Sequence, residues 1–266
     1  MRDIGTRLGM AMGLALVTAI SASMPARAAY VETLQGAKIE GSDIRAKSDG
    51  SIILTTPEGT RTFPKGTYRK AIADKPAEMD AVAKLIQARQ YDEAVNVLEN
   101  ILSTYKNLGW GASASKILAK VHVRQGEYTQ AVETLENLFL LDRDAEKDSA
   151  IQWQYMEALL GAKQYRKLQG KLDELVARGD RKEAARSQLL RGDMNTARGA
   201  LEQAALDYLR TVVLFAEVTE YQPEAIYKTA QTLEALRDGR AQEFYKKVAT
   251  EYPASAYGKK ARSELR

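Results

Sequence analysis

Three cations on one predicted helix carry the clearest chemical signal in the sequence. Lys116, Lys120 and Arg124 follow one another at intervals of four residues, which places them on one face of an α-helix. Such a row can hold a carboxylate or an acidic peptide, because a charge-assisted hydrogen bond contributes about 1.5–3 kcal/mol. Trp153 and Glu157 come 37 residues after Lys116 and Lys120, and an aromatic side chain beside a basic row suits a peptide anchor. We predict a partner-binding groove around these five residues.

An alternative explains the same pattern without a partner. Charged residues at helical spacing often form a solvated helix face. A tryptophan at such a position can also belong to the core between two repeats. The sequence leaves both interpretations open.

Catalytic and metal chemistry have little support in the sequence. The chain has no cysteine and a single histidine, His122, so a zinc site of the usual His/Cys type cannot be assembled. A Ser-His-Asp triad could form only around His122, which stands between two valines in a predicted helix and is expected to be packed. No pair of carboxylates is marked by an aromatic-rich or glycine-rich surrounding. The tripeptide Arg191-Gly192-Asp193 falls in a predicted helix, which argues against an adhesion motif. We expect a non-catalytic protein without cofactor or metal.

The first 28 residues have the three parts of a secretory signal peptide. Basic residues at positions 2 and 7 precede an apolar run over residues 8–20, and small residues end the segment at Ala26-Arg27-Ala28. The run is shorter than the roughly 20 residues that span a bilayer, so cleavage before Ala29 is expected, with no membrane span afterwards. Lipoprotein acylation has no cysteine to use, and a net charge of +4 is too small to indicate a nucleic-acid partner. We expect an exported, periplasmic protein.

An internal repeat organises most of the remaining chain. The turn positions Tyr91, Tyr128, Tyr165 and Leu201 are separated by 37, 37 and 36 residues, and a fifth copy begins at Gly239. After each turn, apolar residues recur every three or four positions, which predicts a helix with one buried stripe. Each copy therefore predicts a pair of antiparallel helices.

Small residues mark the start of the second helix in most pairs. Ala94, Ala131, Ala204 and Ala241 occupy this position, where only a small side chain lets two backbones approach closely. Leu168 replaces them in the third copy and predicts a looser pair. The left-handed residue that ends the first helix can be supplied by three glycines, namely Gly126, Gly199 and Gly239.

The second turn carries a family resemblance. Gly126-Glu127-Tyr128-Thr129-Gln130-Ala131 matches the Gly-x-Tyr-x-x-Ala signature of the tetratricopeptide-repeat family, and residues 77–265 resemble that family, with a longer period than its usual unit of about 34 residues. The closing copy, residues 244–255, is similar to that of periplasmic members such as outer-membrane-assembly lipoproteins and Tol-Pal-linked cell-division coordinators. The resemblance implies a protein-interaction scaffold. It also places Lys116 and Lys120 where chaperone-binding members carry carboxylate-clamp residues, which implies a protein or peptide partner with an acidic or C-terminal carboxylate segment.

A different pattern fills the segment between the signal and the repeats. Short runs rich in β-branched residues, separated by turns with glycine or proline, predict a small antiparallel β module over residues 29–71. At about 40 residues the module is near the lower limit for an independent domain, so we expect it to dock on the first helices or on a partner. A β-cap of the solenoid and a separate binding role remain equal alternatives. The five predicted strands are Val31–Leu34, Lys38–Glu40, Asp43–Ala46, Ser51–Thr55 and Thr60–Phe63.

These observations combine into one expected architecture and two functions. We expect a mainly α solenoid of about five helical hairpins over residues 77–254, joined to the β module by residues 72–76 and closed by a capping helix over residues 255–266. The expected function is an exported scaffold for protein–protein interaction in a bacterial envelope, serving envelope assembly or maintenance. The alternative is an accessory subunit that contacts carbohydrate, such as peptidoglycan, or accompanies an enzyme.

Overall fold

A computed structural model describes residues 29–178 and 180–265. The predicted signal peptide lies outside the described residues. The chain divides into two compact units between Asp74 and Lys75. The mainly α fold with a small antiparallel β module at its N-terminal side confirms the predicted fold class.

The N-terminal unit consists of two antiparallel three-stranded sheets. Their orders are β2-β1-β6 and β3-β4-β5. Buried side chains from both sheets form its core, with Val31, Ile52 and Leu54 fully enclosed. The strands are β1 Tyr30–Thr33, β2 Lys38–Glu40, β3 Asp43–Ala46, β4 Ile52–Thr56, β5 Gly59–Phe63 and β6 Tyr68–Ile72.

The sixth strand corrects the sequence prediction, which gave five strands and placed none after Phe63. β6 pairs with β1 so that Ala71 lies opposite Val31. Arg69 and Lys70 are exposed and Ala71 is buried. A strand with so little apolar content has no clear alternating pattern, and only its pairing reveals it.

The C-terminal unit is a solenoid of helical hairpins. Each hairpin joins a first helix to a second helix, and the segment Lys106–Trp110, which is kinked at Leu108 and Gly109, connects the first two hairpins. The hairpins are α1 Glu78–Gln87 with α2 Tyr91–Tyr105, α3 Gly111–Gln125 with α4 Tyr128–Leu141, α5 Ser149–Gly161 with α6 Tyr165–Ala177, α7 Arg181–Ala197 with α8 Leu201–Leu214, and α9 Gln222–Ala235 with α10 Ala241–Glu251; α11 Ala256–Glu264 follows.

Several helices begin at a side-chain cap that satisfies free backbone amides. Asp148 accepts hydrogen bonds from the amides of Ala150 and Ile151 at the start of α5. Asp180 caps α7, and Ser255 caps α11 by accepting from the Gly258 amide at 2.9 Å. The cap at Ser255 confirms the predicted start of the closing helix.

All five hairpin turns share one backbone motif. A residue in the left-handed region ends each first helix, and the next residue donates its amide to a carbonyl five residues earlier, as Glu127 does to His122 at 2.8 Å. This is a Schellman motif, which satisfies carbonyls that a helix end leaves free. The left-handed residues are Arg89, Gly126, Lys163, Gly199 and Arg237.

Gly126 and Gly199 take the predicted left-handed conformation, whereas Gly239 does not. In the fifth turn Arg237 has a φ of 57°, and the amide of Asp238 donates to the carbonyl of Leu233 at 2.8 Å. The prediction was wrong because glycine was taken as the mark of the turn. A non-glycine residue can take this conformation at a cost of about 1–2 kcal/mol.

The predicted small residues lie where the two helices of a pair meet. Ala94, Ala131 and Ala204 are completely buried. Leu168 is buried as well, and α5 and α6 lie close to each other over less of their length than the helices of the other hairpins. The looser third pair is therefore confirmed.

Within residues 29–178 and 180–265, no helix combines the length and apolarity that crossing a membrane requires.

We predict that Lys163→Gly stabilises the solenoid. Lys163 has a φ of 57°, and glycine removes the steric cost of that conformation, so the free energy of unfolding should rise by about 0.5–1 kcal/mol. The matched control is Gly126→Ala, which places a Cβ on the left-handed residue of the preceding turn and should lower the free energy of unfolding by about 1 kcal/mol. Urea unfolding followed by circular dichroism measures both changes. A lower midpoint for Lys163→Gly would contradict the left-handed turn.

Candidate functional site

The first helices of successive hairpins lie side by side and are linked by polar contacts. The Gln154 side chain on α5 donates to the carbonyl of Lys116 on α3 at 2.9 Å. Arg186 on α7 bonds Glu157 on α5 at 3.1 Å. Lys228 on α9 bonds Asp193 on α7 at 2.7 Å. The first helices therefore form a continuous surface on which equivalent positions of neighbouring repeats adjoin.

A groove of about 620 Å³ lies across α3, α5 and the start of α7, and we call it the basic groove. Its apolar lining comes from Ile117, Val123, Ala150 and Trp153, and its polar lining is mainly cationic. The structure brings all five residues of the predicted site into this one groove. That they bind a partner stays a prediction. The full lining is Lys116, Ile117, Lys120, Val123, Arg124, Ala150, Trp153, Gln154, Glu157 and Arg186.

The cations of the basic groove differ in how they are neutralised. Lys116 lies 3.8 Å from Asp148 and is partly exposed. Lys120 and Arg124 are exposed, and neither has an ion-pair partner among the residues that the structure describes. An incoming carboxylate could therefore pair with Lys120 or Arg124 without breaking an ion pair of the described chain. At Lys116 it would compete with an exposed pair that contributes at most about 1 kcal/mol.

Trp153 is less accessible than the prediction of a peptide anchor assumed. The side chain is only 5% exposed, and the Arg186 guanidinium lies 4.0 Å above the ring centroid. Glu157 holds the same guanidinium at 3.1 Å. Trp153 thus belongs to the buried core of the repeats and also lines the basic groove.

Arg186 lines the basic groove and was not among the residues predicted from the sequence. The repeat alignment places it at the position of Ser113 and Ala150 in the two preceding repeats, which are small residues without charge. The alignment identifies the equivalent position in each repeat, but it does not show that a guanidinium at that position stacks on the Trp153 indole. That contact depends on the distance between α5 and α7.

A second groove of about 330 Å³ continues along α5, α7 and α9, and we call it the acidic groove. Glu220 pairs with Lys182 at 2.6 Å, and Glu224 pairs with Lys228 at 2.6 Å. Carboxylates dominate its polar lining, opposite in sign to the basic groove. The lining residues are Trp153, Glu157, Arg186, Leu189, Leu190, Asp193, Glu220, Tyr221 and Glu224.

Lys228 is held as a cation at the inner end of the acidic groove. Burial works against its charge, but Asp193 and Glu224 outweigh that effect and raise its pKa. Burial also raises the pKa of Tyr257 on α11 to about 12, assisted by Glu224. Their contacts with Asp193 and Glu224 link α7, α9 and α11, and the raised pKa values keep Lys228 and Tyr257 protonated at neutral pH.

The two discounted sequence signals have structural roles. Asp193 of the Arg191-Gly192-Asp193 tripeptide bonds Lys228 and accepts from the Tyr208 hydroxyl at 2.7 Å. A Cβ at Gly192 would collide with the Tyr208 ring. His122 is buried, and its Nδ1 lies 2.7 Å from Glu127 across the second turn. The prediction that His122 is packed is confirmed, and Gly192 and Asp193 take part in the packing of α7 against its neighbours.

Among residues 29–178 and 180–265, no group of three or more histidine, aspartate or glutamate side chains is arranged to hold a metal ion.

Two segments of the chain match tetratricopeptide-repeat family models. They are residues 85–160 and residues 224–255, and these parts of the solenoid are tetratricopeptide repeats. The tetratricopeptide fold is in general a non-catalytic scaffold for protein interaction, and neither model is that of an enzyme. No curated protein sequence matches the chain.

Solved structures similar to the chain are tetratricopeptide-repeat proteins. MamA 41-end from Desulfovibrio magneticus RS-1 has a TM-score of 0.51 and 17% identity, covering 67% of this chain and 95% of that chain. YrrB, a TPR protein with an unusual peptide-binding site, has a TM-score of 0.42 and 15% identity, covering 70% and 90%. A thermophilic TPR protein in Thermus thermophilus has a TM-score of 0.43 and 20% identity, covering 70% and 98%. The similarity to the MamA fragment shows the fold of the helical unit.

We predict that Arg186→Ala uncovers the Trp153 indole. The change removes a cation–π contact of about 0.5–1 kcal/mol and an ion pair with a mostly exposed partner, so the free energy of unfolding should fall by about 1 kcal/mol. In a Trp110→Phe background, where Trp153 is the remaining tryptophan, acrylamide should quench its fluorescence more strongly. Lys182→Ala is the control, because it removes an ion pair from the same helix without touching the indole. Equal quenching in the two variants would contradict the stacked geometry.

Proposed function

We propose that the chain is an exported, non-catalytic scaffold that binds a protein segment in the basic groove. One observation carries the proposal: the exposed cations Lys120 and Arg124 border an apolar floor that includes Ile117 and Val123. Interfaces of this kind combine an apolar anchor with charged groups that fix orientation. The partner segment would place an apolar side chain on the floor and a carboxylate near the two cations.

The compartment proposed for this function is the periplasm of a bacterial envelope. The support is the sequence pattern of residues 1–28, with basic, apolar and small-residue parts in the order of a signal peptide. The closing repeat around Tyr252-Pro253 resembles that of periplasmic tetratricopeptide proteins. A role in envelope assembly or maintenance follows as part of the same proposal.

The geometry favours a peptide over a carbohydrate in the basic groove. A sugar ring binds well where a flat aromatic face is open, but the Trp153 side chain is buried and the Arg186 guanidinium lies over its ring. The groove instead offers cations, which attract carboxylates through charge-assisted hydrogen bonds.

We predict that Lys116→Glu/Lys120→Glu abolishes capture of the partner. The tagged chain lacking residues 1–28 is incubated with detergent-solubilised envelope, and bound proteins are identified by mass spectrometry. Reversal of two groove charges should remove a protein that the wild type retains, because an acidic segment would then meet repulsion. The matched control is Arg166→Glu/Lys246→Glu, which makes the same charge change at exposed positions of α6 and α10.

Two outcomes would argue against the proposal. If both double variants keep every partner of the wild type, the basic groove is not the binding surface. If, in addition, the wild type and both variants bind purified peptidoglycan equally, the carbohydrate-contacting alternative is favoured.

A further inference from the structure

The basic groove and the acidic groove adjoin each other and differ in the sign of their charge, and we call the pair the trough. Trp153, Glu157 and Arg186 line both grooves, so the grooves meet at these three side chains. The trough therefore runs over four consecutive first helices, from α3 to α9.

The basic end retains cations that the fold does not use. Lys120 and Arg124 are exposed, and the described part of the chain supplies no carboxylate to either. Ile117 and Val123 are half-buried beside them, so an apolar surface lies next to the two positive charges.

The acidic end has the opposite character. Glu220 is exposed and pairs with Lys182. Glu224 and Asp193 are less exposed, and both bond the single amine of Lys228. Two carboxylates on one amine leave negative charge uncompensated. A cationic side chain entering this end would gain attraction from Glu220 and Glu224.

The length of the trough sets the length of its occupant. Packed helices lie about 8–10 Å apart, so three steps from α3 to α9 span roughly 25–30 Å. An extended chain advances about 3.3 Å per residue, and about eight or nine residues would fill the trough.

We propose that the occupant is an extended peptide with its acidic residues at one end and its basic residues at the other, which we call a charge-segregated peptide. This proposal rests on the proposed function. The peptide's acidic residues and one apolar residue occupy the basic groove, and its basic residues occupy the acidic groove. Complementary charge at both ends fixes one direction of the peptide backbone along the trough and weakens the binding of segments of uniform charge.

Three fluorescein-labelled nine-residue peptides test this proposal by fluorescence anisotropy. The first has three acidic residues, a central leucine between glycines, and three basic residues. The second replaces the three basic residues with serine. The third has the composition of the first with acidic and basic residues alternating. We expect the first to bind about fivefold more tightly than the second and about tenfold more tightly than the third, as two or three exposed ion pairs would give.

Substitutions at each end separate the two halves of the trough. Glu220→Lys should reduce binding of the first peptide to that of the second and leave the second unchanged. Lys120→Glu/Arg124→Glu should weaken binding of both. The control Glu133→Lys makes the same change as Glu220→Lys at an exposed position of the second helix α4, and should alter neither affinity.

The outcomes distinguish this proposal from the proposed function. If the first and second peptides bind equally and both weaken in Lys120→Glu/Arg124→Glu, the basic groove binds acidic segments but the charge-segregated occupant is overturned. Equal binding of the first and third peptides overturns it as well. If none of the three binds the wild type, the charge-segregated occupant is again overturned, and the proposed function is decided by the capture experiment.

Discussion

The left-handed residue at each hairpin turn is the constraint on which the helical unit depends. It lies in a turn of two to five residues that reverses the chain, and it satisfies the carbonyls that the first helix leaves free. The same motif recurs at Arg89, Gly126, Lys163, Gly199 and Arg237, so every first helix passes into its second helix through the same backbone reversal. Three of these residues are not glycine, so packing of the paired helices must offset about 1–2 kcal/mol at each of those turns.

Regular turns also explain why the candidate site assembles from distant residues. Positions one period apart lie on neighbouring first helices, so Lys116 and Lys120 adjoin Trp153 and Glu157 without any special loop. A chain of contacts holds the helices in this order: Gln154 with the Lys116 carbonyl, Arg186 with Glu157, and Lys228 with Asp193. The surface is thus pre-formed, which lowers the ordering cost that a partner would meet on binding.

The sequence predicted those features that follow from periodicity. Turn spacing located the hairpins and brought five residues from two helices into one groove, because a constant period transfers a position from repeat to repeat. The sequence prediction was wrong where the local structure depends on the conformation of a single residue or on the pairing of two strands. Arg237 rather than Gly239 takes the left-handed conformation, and β6 is recognisable only through its register with β1. Arg186 was missed because its role depends on its distance from the Trp153 ring.

The distribution of ion pairs separates the residues that hold the solenoid from those free to bind. Lys228 is shielded and bonded to two carboxylates, and removal of Asp193 would leave a partly buried charge with one partner fewer, which is costly. Lys120 and Arg124 are exposed and form no ion pair with a neighbouring helix in the described part of the chain. Selection for stability alone would gain little from two such adjacent cations on one helix face, since like charges at this spacing repel slightly. A ligand that supplies the missing negative charge would give these two cations a physical role, and positive charge at the other end of that ligand would meet Asp193 of α7 and Glu224 of α9.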